Sequence, residues 1–186
     1  AIQIGTNLTD EYADFLRQGA QGKLLAPHKV IQRGLLSERA VLYGILGVFG
    51  YATAVGLYIV SQTGWPILAV GLASVTVAYF YSAGPYSLGK LGLGEPVVFV
   101  FMGPVMVMGT FYVLAGDVRW DAFLVSLPVA FIVTAILHMN NLRDIDTDRL
   151  AGKRTLVVRF GRSQALFQYP LMLLLAYGST VALALL

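Results

Sequence analysis

The chain has 186 residues, of which 57% are hydrophobic and only 12% charged, with a formal net charge of +3 and no cysteine. A soluble domain carries about 25% charged residues, so this composition excludes an ordinary water-soluble globule. The lack of cysteine excludes disulfides and thiolate metal sites.

In chain order, Ala1–Leu8 reads as the apolar tail of a helix, followed by a charged segment. Ser37 then Glu38 reads as an N-cap with an acid in the first turn. From Arg39 to Lys90 no residue between is charged, and the Ser61–Pro66 break, "SQTGWP", splits this run in two. Helices are expected from about Arg39 to Ser61 and from about Pro66 to Ser82. Three more follow near Pro96–Ala115, Ala122–Asp144 and Ser163–Leu186. Each is about the 20 residues that an apolar helix needs to cross a bilayer. Continuous rather than alternating apolarity argues against a β-barrel. The expected fold class is therefore all-α: a multi-spanning transmembrane helix bundle of five complete spans plus an N-terminal helix stub. The chain opens without Met and stops inside "TVALALL"; it is expected to be a single transmembrane domain over 1–186, truncated at both ends.

Orientation follows from the basic residues of the loops. Twelve of the 13 Lys and Arg fall in the odd-numbered loops, and only Arg119 falls in an even one. Trp65 and Trp120 lie on the even side, where interfacial anchors belong. The odd loops are expected to be cytoplasmic, in an integral protein of a bacterial or archaeal cell membrane. The positive balance is thus topology; because these cations flank apolar helices and mix with acids, no nucleic-acid partner is expected.

The acids form two clusters on that side: Asp10, Glu11 and Asp14, and Asp144, Asp146 and Asp148. Residues three or four apart share a helix face. Asn7, Glu11 and Asp14 are so spaced, as are Asn140, Asp144 and Asp148, with Asn141 three before Asp144. Each segment, if helical, presents an amide and two carboxylates in a line, while Asp10 and Asp146 point elsewhere. Two facing lines would make an oxygen-lined pocket suited to Mg²⁺ shared with phosphate oxygens. Each cluster alone reads equally well as a solvated helix end; two matching clusters on one side favour a site. An ion or proton pathway would place acids deeper within the spans.

"NNLRDIDTDRLAGKRTLVVRFG" and "GTNLTDEYADF" resemble the second and first aspartate-rich motifs of the UbiA superfamily of intramembrane prenyltransferases. "GLLSERA", "YSAGPYSLGKLGLGE" and "FMGPVMVMGTFY" fit it too, so the resemblance covers nearly the whole chain. "NNLRDIDTDR" together with "GLGE" most resembles the menaquinone branch, which prenylates 1,4-dihydroxy-2-naphthoate. That branch often reads Asn-Asp-Tyr where this chain has Asp10-Glu11-Tyr12.

The resemblance implies Mg²⁺-dependent transfer of a polyprenyl group from polyprenyl diphosphate to an aromatic acceptor. It implies that Glu11, Asp14, Asp144 and Asp148 hold the metal and carry catalysis, with Asn7 and Asn141 beside the substrate. Lys90, Lys153 and Arg154, and more weakly Arg143, are candidates to contact the leaving diphosphate. Tyr81 and Tyr86, flanking "SAGP", are favoured over Tyr79 and Phe80 to offer π-faces to an allylic cation, although ordinary packing accounts for any single aromatic equally well. Glu95 is either a favourable acid at a helix N-terminus or a group that positions or deprotonates the acceptor. His138 reads as a packed, hydrogen-bonded residue that could line the cavity top. The loop carrying Lys29 and Arg33 could cap the site. Other acceptors (4-hydroxybenzoate, homogentisate, a glyceryl phosphate) and a transporter with a cytoplasmic divalent-ion site remain as alternatives.

Overall fold

The computed structural model describes residues 1–21, 30–31, 33–82 and 87–185; the side chains of Asp10, Asp14, 17–21 and Ser82 also lie outside the description. Nine α-helices occur among the described residues, and they fall into two compact units, Ala1–Gly64 and Trp65–Leu186.

The first unit holds α1 (Ile2–Gln21) and α2 (Glu38–Thr63). Helix α1 corrects an expectation. The stub does not end at Leu8; the helix runs on through the acids, so the first cluster lies mid-helix rather than at a helix end. Helix α2 starts where its cap requires, with Ser37 Oγ accepting the Ala40 N–H at 3.2 Å and Glu38 in the first turn.

The second unit runs α3 (Trp65–Ser82), α4 (Gly94–Val100), a π-helical turn (Phe101–Val105), α5 (Met106–Ala115), α6 (Trp120–Arg143), α7 (Ile145–Leu150), α8 (Leu156–Phe160) and α9 (Arg162–Ala184). Among the described residues, four helical stretches are long and apolar enough to cross a membrane: Glu38–Thr63, Gly94–Ala115, Trp120–Arg143 and Arg162–Ala184. The expected fifth, α3, has 18 residues, or roughly 27 Å at 1.5 Å per residue. That is marginal against a hydrocarbon core of about 30 Å.

Helix α6 is the hub of this unit, packed against α4, the π turn and α9. Its buried residues Ala122, Ser126, Ala130, Thr134, His138 and Leu142 recur every fourth position, forming one ridge. Most are small, which lets neighbouring backbones approach. Gly103 shows how closely: a Cβ there would fall 2.3 Å from the Ala130 Cβ. Gly103 belongs to the π turn, and Pro104 within it has no N–H to donate to the helical ladder. A glycine at φ 71, Gly116, closes α5, its N–H donating to Tyr112 O at 2.8 Å.

The polarity is inverted relative to a soluble protein. The α6 ridge is lined by small and polar groups, whereas Leu46, Leu57, Leu72, Leu114 and Leu174 are each more than half exposed. The helical hydroxyls of Thr53, Ser74, Thr76, Thr110 and Thr134 donate to carbonyls four residues back, at 2.7–2.8 Å. A bilayer offers no water to satisfy them, so bonding within the helix is the stable solution. The fold is all-α and multi-spanning, as expected.

Candidate active site

In the second unit the aspartate motif lies at the end of α6. Helix α6 stops at Arg143, and Asp144 sits at the junction with α7. The i→i−4 bonding continues across the break: Asp144 N–H donates to Asn140 O at 3.0 Å, and Asp148 N–H to Asp144 O at 2.8 Å. The four-residue spacing therefore survives. Leu142 and Ile145, packed with Val157 and Ala165, anchor the junction in a small apolar core.

The charged side chains then divide. Asp144 accepts both a Nε and a Nη2 bond from Arg143, each at 2.8 Å. Asp148 is buried and accepts from Lys153 Nζ at 2.7 Å. Asp146 is exposed and reaches Arg162 at 3.3 Å, so it points elsewhere, as its spacing predicts.

Two loops meet beside this motif. The Arg154 N–H donates to Lys90 O at 2.8 Å. Arg159, from α8, donates Nη2 to Leu91 O at 2.6 Å and Nε to Arg154 O at 3.1 Å. One guanidinium thus ties the segment carrying Lys90 to the segment carrying Lys153 and Arg154. The packing is tight at Gly92, where a Cβ would come 2.6 Å from Arg154 O. At the other end of the Lys90 segment, the Gly89 N–H donates to Tyr81 O at 3.2 Å. The Tyr81 hydroxyl would meet a Cβ on Gly94 at 3.3 Å. Tyr81 is therefore drawn into the corner before α4, while Tyr79 and Phe80 stay largely exposed.

That corner carries Glu95, which is buried despite its charge. Its Oε1 accepts from Asn141 Nδ2 at 2.9 Å and lies 3.4 Å from His138 Nδ1. His138 Nε2 is 3.1 Å from Ala165 O. His138 is packed and hydrogen-bonded, as the sequence suggests.

In the first unit, α1 carries Asn7, Glu11 and Asp14 on continuous helix, so they share a face. Asn7 is exposed. Glu11 Oε1 accepts the Ile31 N–H at 3.1 Å, tying the end of the long loop back to the motif. The Tyr12 hydroxyl donates to Glu38 at 3.0 Å, which holds the phenol above its ordinary pKa. The Asp14 side chain, Tyr86 and Lys29 lie outside the described residues. Among the described residues, no three His, Asp or Glu side chains stand together as a metal site.

Sequence reasoning missed one residue and one contact here. Arg159 gave no signal beyond a cation in the last turn of a short helix. The link from His138 to Glu95 had only half a signal, the three-residue spacing of His138 and Asn141.

The profile of the UbiA prenyltransferase family matches residues 2–186. The chain belongs to the UbiA prenyltransferase family. Among curated relatives, the 1,4-dihydroxy-2-naphthoate octaprenyltransferase of Bacillus subtilis (strain 168) is 32% identical, over 88% of this chain and 53% of its own length. The protein of that name from Mycobacterium tuberculosis is 34% identical, over 90% of this chain and 58% of its own. The one from Escherichia coli (strain K12) is 31% identical, over 99% and 61%. The chain spans about half to three-fifths of the length of these relatives. No solved structure matches. The UbiA match runs through both units, and so through both motif segments.

Proposed function

We propose that this chain is the motif-bearing part of an intramembrane prenyltransferase, a single domain over 1–186. It would transfer a polyprenyl group from polyprenyl diphosphate to 1,4-dihydroxy-2-naphthoate, in menaquinone biosynthesis, on the cytoplasmic face of the membrane. The observation that carries the reading is the convergence of the Asn141–Asp148 segment with the two cationic loops tied by Arg159. A site for diphosphate needs oxygen donors for its counter-ion and fixed cations for its own oxygens, and both are adjacent here. The relatives' names supply the acceptor.

The donor chemistry fits Mg²⁺: the motifs offer oxygen ligands and no sulfur. In the second unit Asp144 and Asp148 would hold it, and in the first Glu11 and Asp14 offer the same oxygen donors; when bound it neutralises diphosphate charge as the C–O bond breaks. Lys90, Lys153 and Arg154 contact the leaving diphosphate, and Arg143 flanks them. Asn7 and Asn141 bind alongside. Tyr81 presents a π-face to the allylic cation, and Tyr86 takes the same role on the sequence alone. Glu95 belongs to the site through Asn141. The apolar helices keep the prenyl chain in the bilayer and exclude water from the cation.

The test is a membrane assay offering one polyprenyl diphosphate and a panel of aromatic acceptors, read by mass spectrometry. Prenylated product from 1,4-dihydroxy-2-naphthoate is expected. Product from 4-hydroxybenzoate alone would move the assignment to another acceptor class, and product from none would reject prenyl transfer.

A further inference from the structure

Glu95, His138 and Asn141 form the only cluster among the described residues in which fully buried side-chain atoms lack hydrogen-bond partners: Glu95 Oε2 and His138 Nδ1. Such atoms are rare in folded proteins, because each forfeits the hydrogen bonds that water would give it.

The role of Nε2 follows from its neighbour. The Ala165 carbonyl can only accept, so His138 Nε2, 3.1 Å away, must carry a hydrogen. His138 Nδ1 then faces Glu95 Oε1 at 3.4 Å. A bare ring nitrogen against a carboxylate would set two acceptors face to face in a site where the side chains are 0% and 3% exposed. A hydrogen-bond donor at the Nδ1 position relieves that repulsion. The same carboxylate oxygen receives the Asn141 Nδ2 hydrogen. This fixes which way the carboxamide faces, and leaves its second N–H and its Oδ1 for a ligand.

We infer that His138 is a positioning residue: through Glu95 it holds Asn141 oriented toward the diphosphate. The chain of contacts runs from the α9 backbone at Ala165 through His138 on α6 to Glu95 on α4, and returns to α6 at Asn141. Asn141 stands one helical turn before Asp144, so a rotated carboxamide would present the wrong group at the start of the motif. The inference rests on the diphosphate-binding reading of this site.

Two substitutions separate the arms of the imidazole. In His138→Asn the side-chain amide stands near the place of Nδ1 and can still donate to Glu95. In His138→Gln it stands near the place of Nε2 and keeps only Ala165. Binding of magnesium pyrophosphate to the whole protein in detergent is measured by calorimetry, beside steady-state kinetics in membranes. His138→Asn should bind within about twofold of wild type. His138→Gln should bind about tenfold more weakly, the scale of one charge-assisted hydrogen bond. The KM for polyprenyl diphosphate should follow, and the KM for the aromatic acceptor should not. His138→Gln combined with Asn141→Ala should be no weaker than Asn141→Ala alone. Equal behaviour of the Asn and Gln variants, or losses that multiply in the double variant, would overturn the inference. Should a His138 variant not fold, Glu95→Gln, which can accept from Asn141 and donate to a neutral ring, should bind within about threefold of wild type. Glu95→Ala should lose about tenfold; equal losses would again overturn it. Wild type that binds magnesium pyrophosphate but makes no prenyl product refutes the prenyl-transfer reading alone. Wild type that does not bind it refutes both.

Discussion

Lys153 Nζ lies 2.7 Å from Asp148 Oδ1, with 41% of the lysine side chain exposed but only 9% of the aspartate. The two partners are therefore not equivalent. Lys153→Ala strands a buried carboxylate and should cost about 1–3 kcal/mol of stability. Asp148→Asn leaves a lysine that can turn to water and should cost less than about 1 kcal/mol. Thermal unfolding in detergent ranks the two variants, and the opposite order would show that Asp148 is not held as described.

Arg159 joins the Lys90 and Arg154 segments through two backbone carbonyls. A planar guanidinium donates in two directions at once, and an ammonium on a flexible stem does this poorly. Arg159→Lys should therefore raise the KM for polyprenyl diphosphate about threefold to tenfold with kcat little changed. An unchanged KM would mean that the loops hold their cations in place without it.

How far the sequence announced these features depends on the kind of signal each leaves. The spans were legible because few segments other than bilayer-crossing helices run uncharged and apolar for about 20 residues, and the α2 start because Ser37 and Glu38 form a local motif. The continuation of α1 through Asp10–Asp14 leaves no such mark: a run of acids suggests an exit from the membrane, but charge alone does not end a helix. The π turn left only Gly103-Pro104 as a hint. In the site, residue types and spacing on one helix singled out Asn141, Asp144 and Asp148. The bond from Asn141 to Glu95 joins positions 46 residues apart, which no local spacing reveals. Lys90 and Arg154 were legible as cations, but their meeting depends on Gly92 and Arg159.

Gly103 meets Ala130 so closely that a Cβ would clash with both its Cβ and, at 2.9 Å, its Cα. Gly103→Ala should destabilise by about 1–3 kcal/mol through overpacking. Adding Ala130→Gly should restore only part, because the Cα remains. Gly109→Ala serves as the control, since nothing lies within 4 Å of its Cβ position. Similar melting of Gly103→Ala and Gly109→Ala would refute the close approach of the π turn to α6.

We propose that the end of α6 is a diphosphate site whose carboxylates hold Mg²⁺. Its most direct test is prenyl transfer to 1,4-dihydroxy-2-naphthoate by the whole protein in membranes, with and without Mg²⁺, for wild type, Asp144→Ala and Asp148→Ala. The account predicts that wild-type turnover requires Mg²⁺ and that each substitution lowers it by at least about 100-fold, the order seen when one electrostatic contributor to a transition state is removed, while the variants stay folded. Near-normal turnover in both variants would contradict it.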